Sequence, residues 1–311
     1  MRGTDGILLL NKRPGLTSFE ALAQIKRALG TGKVGHTGTL DKFASGLLLV
    51  LVGRAVKLAS WFDYSDKVYE GTIKFGQETD TLDPEGTVVV EAPVPSQEAL
   101  EAVLPKFWGN IMQAPPVYSA VHVEGRRAHE LVRSGEAVVM KERPVTIHSL
   151  ELLSWEPPLA KIRVRCSKGT YIRSLARDVA MAAGSRGHLV QLCRTVVASF
   201  TLAEALNLAT PGADSANTAA IAAALRPLDV AVFAALGIPG MAADEETARA
   251  MIQGKPLGSL LGRLTPLPGE TLTGDVFSIA VFDQAGGLVA LLNRQEQGSG
   301  WSYGYVYGSV Q

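Results

Sequence analysis

The chain has 311 residues, 47% of them hydrophobic and 19% charged, which excludes a disordered protein and suits two globular domains. No apolar run reaches the length of a membrane span, the N-terminus lacks a signal-peptide pattern, and two cysteines are too few for a disulfide framework, so a reducing cytoplasm is the expected compartment. The net charge is zero, yet residues 161–200 carry eight bases and one acid, Asp178, which fits a local phosphate footprint or an ordinary solvated face.

Residues 6–10 read as a short buried strand, and Asn11-Lys12-Arg13-Pro14-Gly15 as a turn. Thr17 and Glu20 form a capping-box pair. Phe19, Leu22, Ile25 and Leu29 then recur at helical spacing until Gly30 stops the helix. Residues 47–52 are continuously apolar and read as a strand buried on both faces. Between the two lies Gly35-His36-Thr37-Gly38-Thr39-Leu40-Asp41. Glycines let such a loop approach a ligand closely, and it can carry an exposed carboxylate beside a histidine. Taken alone, the stretch reads first as a turn with Thr39 or Asp41 as a helix cap.

Residues 54–62 read as a helix, and 67–75 as an alternating strand with Tyr69, Gly71, Ile73 and Phe75 on one face. Residues 76–86 read as a polar acidic loop without the spacing of a calcium loop. Residues 96–108 look helical, with Pro105 out of place. Residues 109–143 differ in character. Pro115-Pro116 forbids a helix or central strand there, and Tyr118, His122, Arg126, Arg127, His129 and Arg133 interleave rings with cations. That mixture suits RNA, whose bases stack on rings and whose phosphates pair with Arg, and it equally suits a plain surface excursion. Residues 145–155 and 161–166 read as strands. In the second, Ile162, Val164 and Cys166 face inward, and Lys161, Arg163 and Arg165 share the outer face. A turn at 167–169 leads into a helix from Thr170 that buries Ile172, Leu175 and Val179. Residues 207–220 read as a linker. Beyond it, a helix at 244–253 and a hairpin from 276–283 and 288–293 describe a small, mainly β domain.

Six stretches in order resemble the TruB family of tRNA pseudouridine synthases. They are Asn11-Lys12-Arg13-Pro14-Gly15-Leu16-Thr17-Ser18, the Gly35 to Asp41 stretch, Tyr69 with Thr79-Asp80-Thr81, Gln113-Ala114-Pro115-Pro116-Val117-Tyr118-Ser119-Ala120 with Gly125-Arg126-Arg127-Ala128, Cys166-Ser167-Lys168-Gly169-Thr170-Tyr171-Ile172-Arg173, and Leu192-Cys193-Arg194-Thr195. The resemblance implies an α+β fold, a mixed and largely antiparallel sheet with flanking helices and a central cleft. It implies a catalytic domain at 1–206 with an RNA-gripping insertion at about 109–143, a linker at 207–220, and a mainly β, PUA-like module at 221–311. It implies a monomer that isomerises uridine 55 in the T-loop of tRNA to pseudouridine. That reaction loses no atoms and changes no oxidation state, so no cofactor is expected.

By resemblance, Asp41 is the catalytic carboxylate, and Arg173 keeps it ionised and aims it. Tyr69 stacks on the uracil and offers a hydroxyl for proton transfer. Tyr171 and Leu192 line the pocket. His36 fills the space left by the flipped uridine or stacks on its neighbour. Lys12, Arg126, Arg127, Arg163, Arg165 and Lys168 are the candidate phosphate contacts. Lys42, His122 and His129 depart from the family pattern, which commonly has proline, lysine and tyrosine there. Two other classes fit the residues: a non-catalytic RNA-binding or tRNA-folding protein on the same scaffold, and a hydrolase built on Asp41 and His36.

Overall fold

The computed structural model describes residues 5–63, 65–119, 121–123, 125–128, 131, 134, 138–208, 214–270, 276–295 and 300–308. The chain enters as β1 (Gly6–Lys12), forms two short helices, α1 (Ser18–Ala21) and α2 (Ala23–Leu29), and returns as a hairpin of β2 (Val34–Thr37) and β3 (Ser45–Val52). After α3 (Ala59–Asp63) come β4 (Lys67–Phe75), a small hairpin of β5 (Gln77–Thr79) and β6 (Val88–Glu91), α4 (Gln97–Val103) and β7 (Gly109–Gln113). A short ribbon of β8 (His122–Val123) and β9 (Arg126–Arg127) precedes the long strands β10 (Arg143–Glu156) and β11 (Leu159–Cys166). Then follow α5 (Ile172–Ala182), β12 (Gly187–Val197), β13 (Phe200–Thr201) and α6 (Asp214–Ala224). The main sheet has the order β1-β3-β12-β4-β11-β10-β7, with β2 also on β3 and β13 on β12. β3 and β12 run parallel, and the other described pairings in this sheet are antiparallel.

The continuous apolar runs of β1 and β3 follow from cover on both faces. Leu8, Leu10, Leu48 and Val50 enter a core shared with α2, α4, α5 and α6. Ile7, Leu9, Leu47, Leu49 and Leu51 enter a second core on the opposite face. Each such side chain, fully buried, contributes roughly 1.5–3 kcal/mol. Helices of four and seven residues cannot hold themselves in water. Leu22 and Ile25 anchor α1 and α2 in the first core. β4 and β11 have only one covered face and therefore alternate. Tyr69, Ile73, Ile162 and Val164 turn to the first core, while Glu70 and Arg163 turn away from it.

The C-terminal module comprises α7 (Val230–Ala235), β14 (Gly240–Ala242), α8 (Glu245–Ile252), β15 (Thr265–Pro266), β16 (Ser278–Phe282), β17 (Leu288–Arg294) and β18 (Trp301–Val306). Its sheet has the order β15-β14-β16-β17-β18. Phe233, Phe282 and Leu291 share the second core with Leu47 and Leu49, so the module packs on the back of β1 and β3. Polar contacts pin the same seam. The Trp61 indole donates to Asn293 Oδ1 at 3.2 Å, and Arg54 Nη1 donates to the Tyr307 carbonyl at 2.7 Å.

Four expectations change. The stretch read as a linker, 207–220, holds the first part of α6, which continues to Ala224 and buries Ile221 fully in the first core. The chain then pairs with β1 through two hydrogen bonds between Ile7 and Arg226, both 2.9 Å. An alanine-rich, weakly patterned helix looks like a spacer in sequence, although Ile221 and Ala224 dock it on the core. Residues 76–86 hold β5 and lead to β6, so they form a hairpin rather than a free loop. The helix expected over 96–108 ends at Val103 and tightens into a 3₁₀ turn over Leu104–Phe107, because Pro105 cannot supply an N–H. Phe19 does not join the helix stripe. It is 69% exposed, because its neighbour Ser18 turns inward and a side chain one residue on points about 100° away.

Lys12 is also not a surface group. It is 1% exposed, and its ammonium donates to the carbonyls of Ala44 at 2.6 Å, Leu16 at 2.7 Å and Arg13 at 3.1 Å. Burial pushes its pKa down to about 8. Replacing Lys12 with Met keeps the volume and removes the donor. Lys12→Met is expected to lower unfolding stability by roughly 1–3 kcal/mol in a denaturant titration. It is expected to leave the salt dependence of RNA binding unchanged. A fall of about 0.7 to 0.9 in the log–log slope would instead mark a phosphate contact.

Candidate active site

Asp41 sits in the connection between β2 and β3. Gly38 opens the turn with φ of +63°, a region that favours glycine. The N-terminal turn then clamps the loop on both sides of the carboxylate. Ser18 Oγ accepts from the Leu40 N–H at 2.9 Å and donates to the Leu40 carbonyl at 3.0 Å. The Gly15 N–H donates to the Lys42 carbonyl at 2.8 Å, and Lys12 holds Ala44. At Gly46 a Cβ would lie 2.3 Å from the Arg194 carbonyl, so only glycine lets β3 meet β12 here.

Arg173 projects from the first turn of α5 and is 5% exposed. The start of that helix is fixed by Gln113 on β7. The Tyr171 N–H donates to Gln113 Oε1 at 2.8 Å, and Gln113 Nε2 donates to the Tyr171 carbonyl at 3.2 Å. Arg173 Nη2 donates to Asp41 Oδ1 at 3.0 Å, and its Nε lies 3.0 Å from Oδ2. On its other edge Nη1 donates to the Thr81 carbonyl at 2.9 Å and to Asp83 Oδ2 at 3.2 Å, while Nη2 also reaches the Tyr118 carbonyl at 3.1 Å. Asp83 is buried and held in turn by the Thr81 hydroxyl at 2.6 Å and the Glu85 N–H at 3.0 Å.

Burial raises the Asp41 pKa above the ordinary carboxylate value, Arg173 pulls it down, and the Asp83 charge adds to the rise. Its side chain keeps 37% of its surface open to the cleft. The carboxylate is therefore paired, aimed and reachable. Such a group can act as a nucleophile or as a base.

The cleft above it has a volume of about 720 Å³ and is lined by His36, Tyr69, Tyr171 and Leu192 as well as Asp41 and Arg173. Tyr69 projects from β4 into it, with burial raising its pKa and Arg194 opposing that rise. His36 projects from β2. Burial lowers its pKa, as does the nearby Arg194 charge, and among the described residues its Nδ1 has no hydrogen-bond partner. No hydrogen bond joins His36 to Asp41 among the described residues, so the pair expected of a hydrolase does not form.

The proposed phosphate contacts divide. Arg163 and Arg165 lie on the sheet face opposite Tyr69, since Tyr69 pairs in register with Val164 between them. Both are engaged by acids: Arg163 by Glu70 at 2.9 Å and Arg165 by Asp66 at 3.1 Å. Lys168 lies exposed in the turn before Tyr171, at the cleft's edge, and Arg126 is exposed on the β8–β9 ribbon. His129, Arg133 and the side chain of Arg127 lie outside the described residues. Lys42 extends across the mouth to Glu85 at 4.0 Å, both half exposed. Phe19 stands on the rim, with the Lys26 ammonium 4.5 Å from its ring centroid.

Asp83, Gln113 and Ser18 were not singled out by the sequence. Asp83 lies in the acidic stretch read as a loop, and its signal was the Thr-Asp-Thr-Leu-Asp run. Asp80 accepts from the Thr87 N–H at 2.8 Å and closes that turn. Among the described residues no group of three or more His, Cys, Asp or Glu is arranged to hold a metal ion. No described helix is long and apolar enough to cross a membrane.

Comparison with known proteins agrees with this geometry. Residues 26–172 match the N-terminal domain of the TruB family pseudouridylate synthases. The tRNA pseudouridine synthase B of Aromatoleum aromaticum is 42% identical over 262 residues, 84% of this chain and 83% of its own. That of Borreliella burgdorferi is 45% identical over 201 residues, 64% of this chain and 71% of its own. A solved Cbf5-Nop10-Gar1 complex contains a chain that superposes with a TM-score of 0.69 at 24% identity, covering 97% of this chain and 84% of that one, which establishes the shared fold. With the relative from Aromatoleum covered over most of both lengths, the chain belongs to the TruB family of pseudouridylate synthases.

Proposed function

We propose that this chain converts uridine 55 in the T-loop of tRNA to pseudouridine, with Asp41 as the reacting carboxylate. The observation that carries the reading is the Asp41–Arg173 pair at the foot of an open cleft that also holds Tyr69 and His36. The tRNA substrate follows the names of the relatives. A uridine stacked in an RNA loop hides its glycosidic bond, so the base must leave the stack to reach Asp41. The Tyr69 ring offers it a stacking surface, and the His36 ring can take its place among the RNA bases. Three routes begin from the same ionised carboxylate: attack on the sugar, attack on the base, and abstraction of a ribose proton. Each needs Arg173 to hold Asp41 ionised and aimed. Every group named lies in one chain, which supports action as a monomer. The intact Asp41–Arg173 pair favours catalysis over a role in RNA folding alone.

The test is incubation with an unmodified tRNA transcript, followed by position-resolved mapping of pseudouridine. Modification confined to the T-loop uridine is expected. Asp41→Asn is expected to lower single-turnover conversion by roughly 100- to 10,000-fold or more, with tRNA affinity within a few fold. Modification at another site, or near-normal turnover by the Asn variant, would overturn the assignment.

Asp83 anchors Arg173 at 3.2 Å, and no hydrogen bond joins it to Asp41 among the described residues. Asp83→Asn keeps the shape and removes the charge that anchors the fork. Single-turnover conversion is expected to fall about 100-fold from lost alignment, with tRNA affinity preserved. An unchanged rate would make Asp83 a structural residue only.

The pH dependence has a definite sign. Because the folded pKa of Asp41 is raised above 3.8, the catalytic form is lost at a higher pH than for an ordinary aspartate as the medium is acidified. The acidic limb of the single-turnover profile is expected to inflect above 3.8. In Arg173→Lys, which keeps a charge but loses the fork, the limb should move higher still. An inflection at or below 3.8 would mean that Arg173 outweighs burial.

A further inference from the structure

Arg194 lies on β12 directly opposite Tyr69 on β4 in the strand register. It is 1% exposed. Its Nε donates to the Leu47 carbonyl at 2.8 Å, and its Nη2 has no hydrogen-bond partner. Among the described residues, no carboxylate lies within ion-pair distance of it. The neighbouring buried cations are provided for. Lys67 donates to the carbonyls of Ser65 at 3.0 Å and Asp63 at 3.1 Å and pairs with the Asp63 carboxylate at 3.5 Å, and Lys12 has its three carbonyls. A buried guanidinium without a counter-charge costs stability that an apolar side chain of the same volume would not. Such a violation is expected where function requires it.

Two contacts show what the guanidinium serves. A Cβ at Gly38 would lie 3.0 Å from Nη1, so the loop leading to Asp41 passes directly over it. Arg194 and Tyr69 are also register partners on neighbouring strands, so their side chains share one face of the sheet, and the guanidinium works against the rise that burial gives the Tyr69 pKa. We propose that Arg194 is a positioning residue for Tyr69: its guanidinium donates to the phenol oxygen, aims that oxygen into the cleft and supplies the counter-charge for the phenolate. This rests on the reading of Tyr69 as the group that takes the proton from the rejoined uracil. In that step the C5–H bond breaks and a bond to the Tyr69 oxygen forms. The C5–H electron pair becomes the C5=C6 bond, and the C6=N1 pair moves onto N1. N1 then takes a proton, and passage of the Tyr69 proton to it restores the phenolate. One proton leaves carbon and one reaches nitrogen, so the tyrosine ends as it began.

The surroundings disfavour a phenolate, and Arg194 is the group that works against them. Burial raises the Tyr69 pKa, and Asp41 from the β2–β3 loop and Cys166 from β11 raise it further. Arg194 opposes them from β12. The Cys166 thiol is itself pushed up to about 11, and burial lowers both Lys67 on β4 and His36 on β2. Arg173 faces the same cleft from α5 but is committed to Asp41 and Asp83. Arg194 is thus the cation left for the phenolate.

The experiment compares Arg194→Met, Arg194→Lys and Tyr69→Phe in the full chain. Single-turnover conversion of tRNA is followed against pH, and thermal unfolding checks the fold. Enzyme made with the more acidic 3-fluorotyrosine identifies the limb that belongs to a tyrosine, since that limb moves to lower pH. Arg194→Met is expected to fold, to convert about 100-fold more slowly at neutral pH, as when one donor to a developing anion is removed, and to shift the tyrosine limb to higher pH. Arg194→Lys keeps the charge and should shift the limb less in the same direction. It serves alone if the Met variant does not fold. Tyr69→Phe within a few fold of the parent would overturn the reading of Tyr69 itself. An inactive Phe variant with an unmoved limb in the folded Arg194 variants would overturn only the role of Arg194.

Discussion

Arg173 presents its N–H donors in one rigid plane, and three segments besides its own helix converge to receive them. The β2–β3 loop brings Asp41, the β5–β6 connection brings Asp83 and the Thr81 carbonyl, the stretch after β7 brings the Tyr118 carbonyl, and α5 brings the arginine. A lysine ammonium is a point charge with no preferred plane and could not hold these acceptors in fixed directions. One cation shared between two carboxylates leaves a net negative site. That is why burial still outweighs Arg173 at Asp41, and why the carboxylate remains reactive rather than being neutralised by its partner. Since the fork is completed only when all four segments have docked, the catalytic geometry is a property of the whole domain and not of one loop.

The sheet explains where the charges can and cannot act. Strand alternation sends Tyr69 and Val164 to the helix-covered face and Glu70, Lys161 and Arg163 to the other. On that open face Lys161 and Arg163 both reach Glu70, at 3.1 and 2.9 Å. A phosphate arriving there would have to displace an existing carboxylate. Partly exposed pairs of this kind contribute roughly 0.2–1 kcal/mol each, so they solvate and register the face more than they stabilise it. Lys42 lines the cleft, Lys26 stands against the rim residue Phe19, and Lys168 is exposed beside the lining residues Ser167 and Gly169. The C-terminal module is fastened behind β1 and β3 through the second core, on the side away from Asp41.

Much of this was legible in the sequence because the relevant signals are local. The double-sided apolar run of β3, the alternation of β4 and β11, and the Thr17–Glu20 capping box all appear as expected. Asp41, Tyr69, Arg173, His36, Tyr171 and Leu192 do meet at one cleft. The setting of each charge was not legible. Lys12, Arg163 and Arg165 are basic in the sequence, but whether a cation meets solvent, a carbonyl or a carboxylate is decided by segments up to 99 residues away. Asp83 was missed for the same reason. A carboxylate between threonines looks like a turn residue until an arginine 90 positions later is placed against it. Phe19 misled through periodicity, because a helix broken at Leu22 no longer carries one continuous stripe.

The buried polar groups behind the cleft follow a gradient of satisfaction. Lys12 lies deepest in bonding terms, with its ammonium shared among carbonyls that hold the Asp41 loop, so its charge is spent on structure. Lys67 divides its donors between two carbonyls and one carboxylate. Arg194 has one backbone acceptor at Nε, an unpartnered Nη2 and, among the described residues, no acid. A fold selected for stability alone would arrange these the other way, since the guanidinium is the group best shaped for several acceptors. The least satisfied cation is instead the one opposite Tyr69 and beneath Gly38, where the two strands that carry it are fixed by ladder hydrogen bonds and cannot relax away. A preorganised positive charge held in place by a sheet needs no reorganisation when negative charge develops beside it, and that is the condition under which a buried charge contributes most to a reaction.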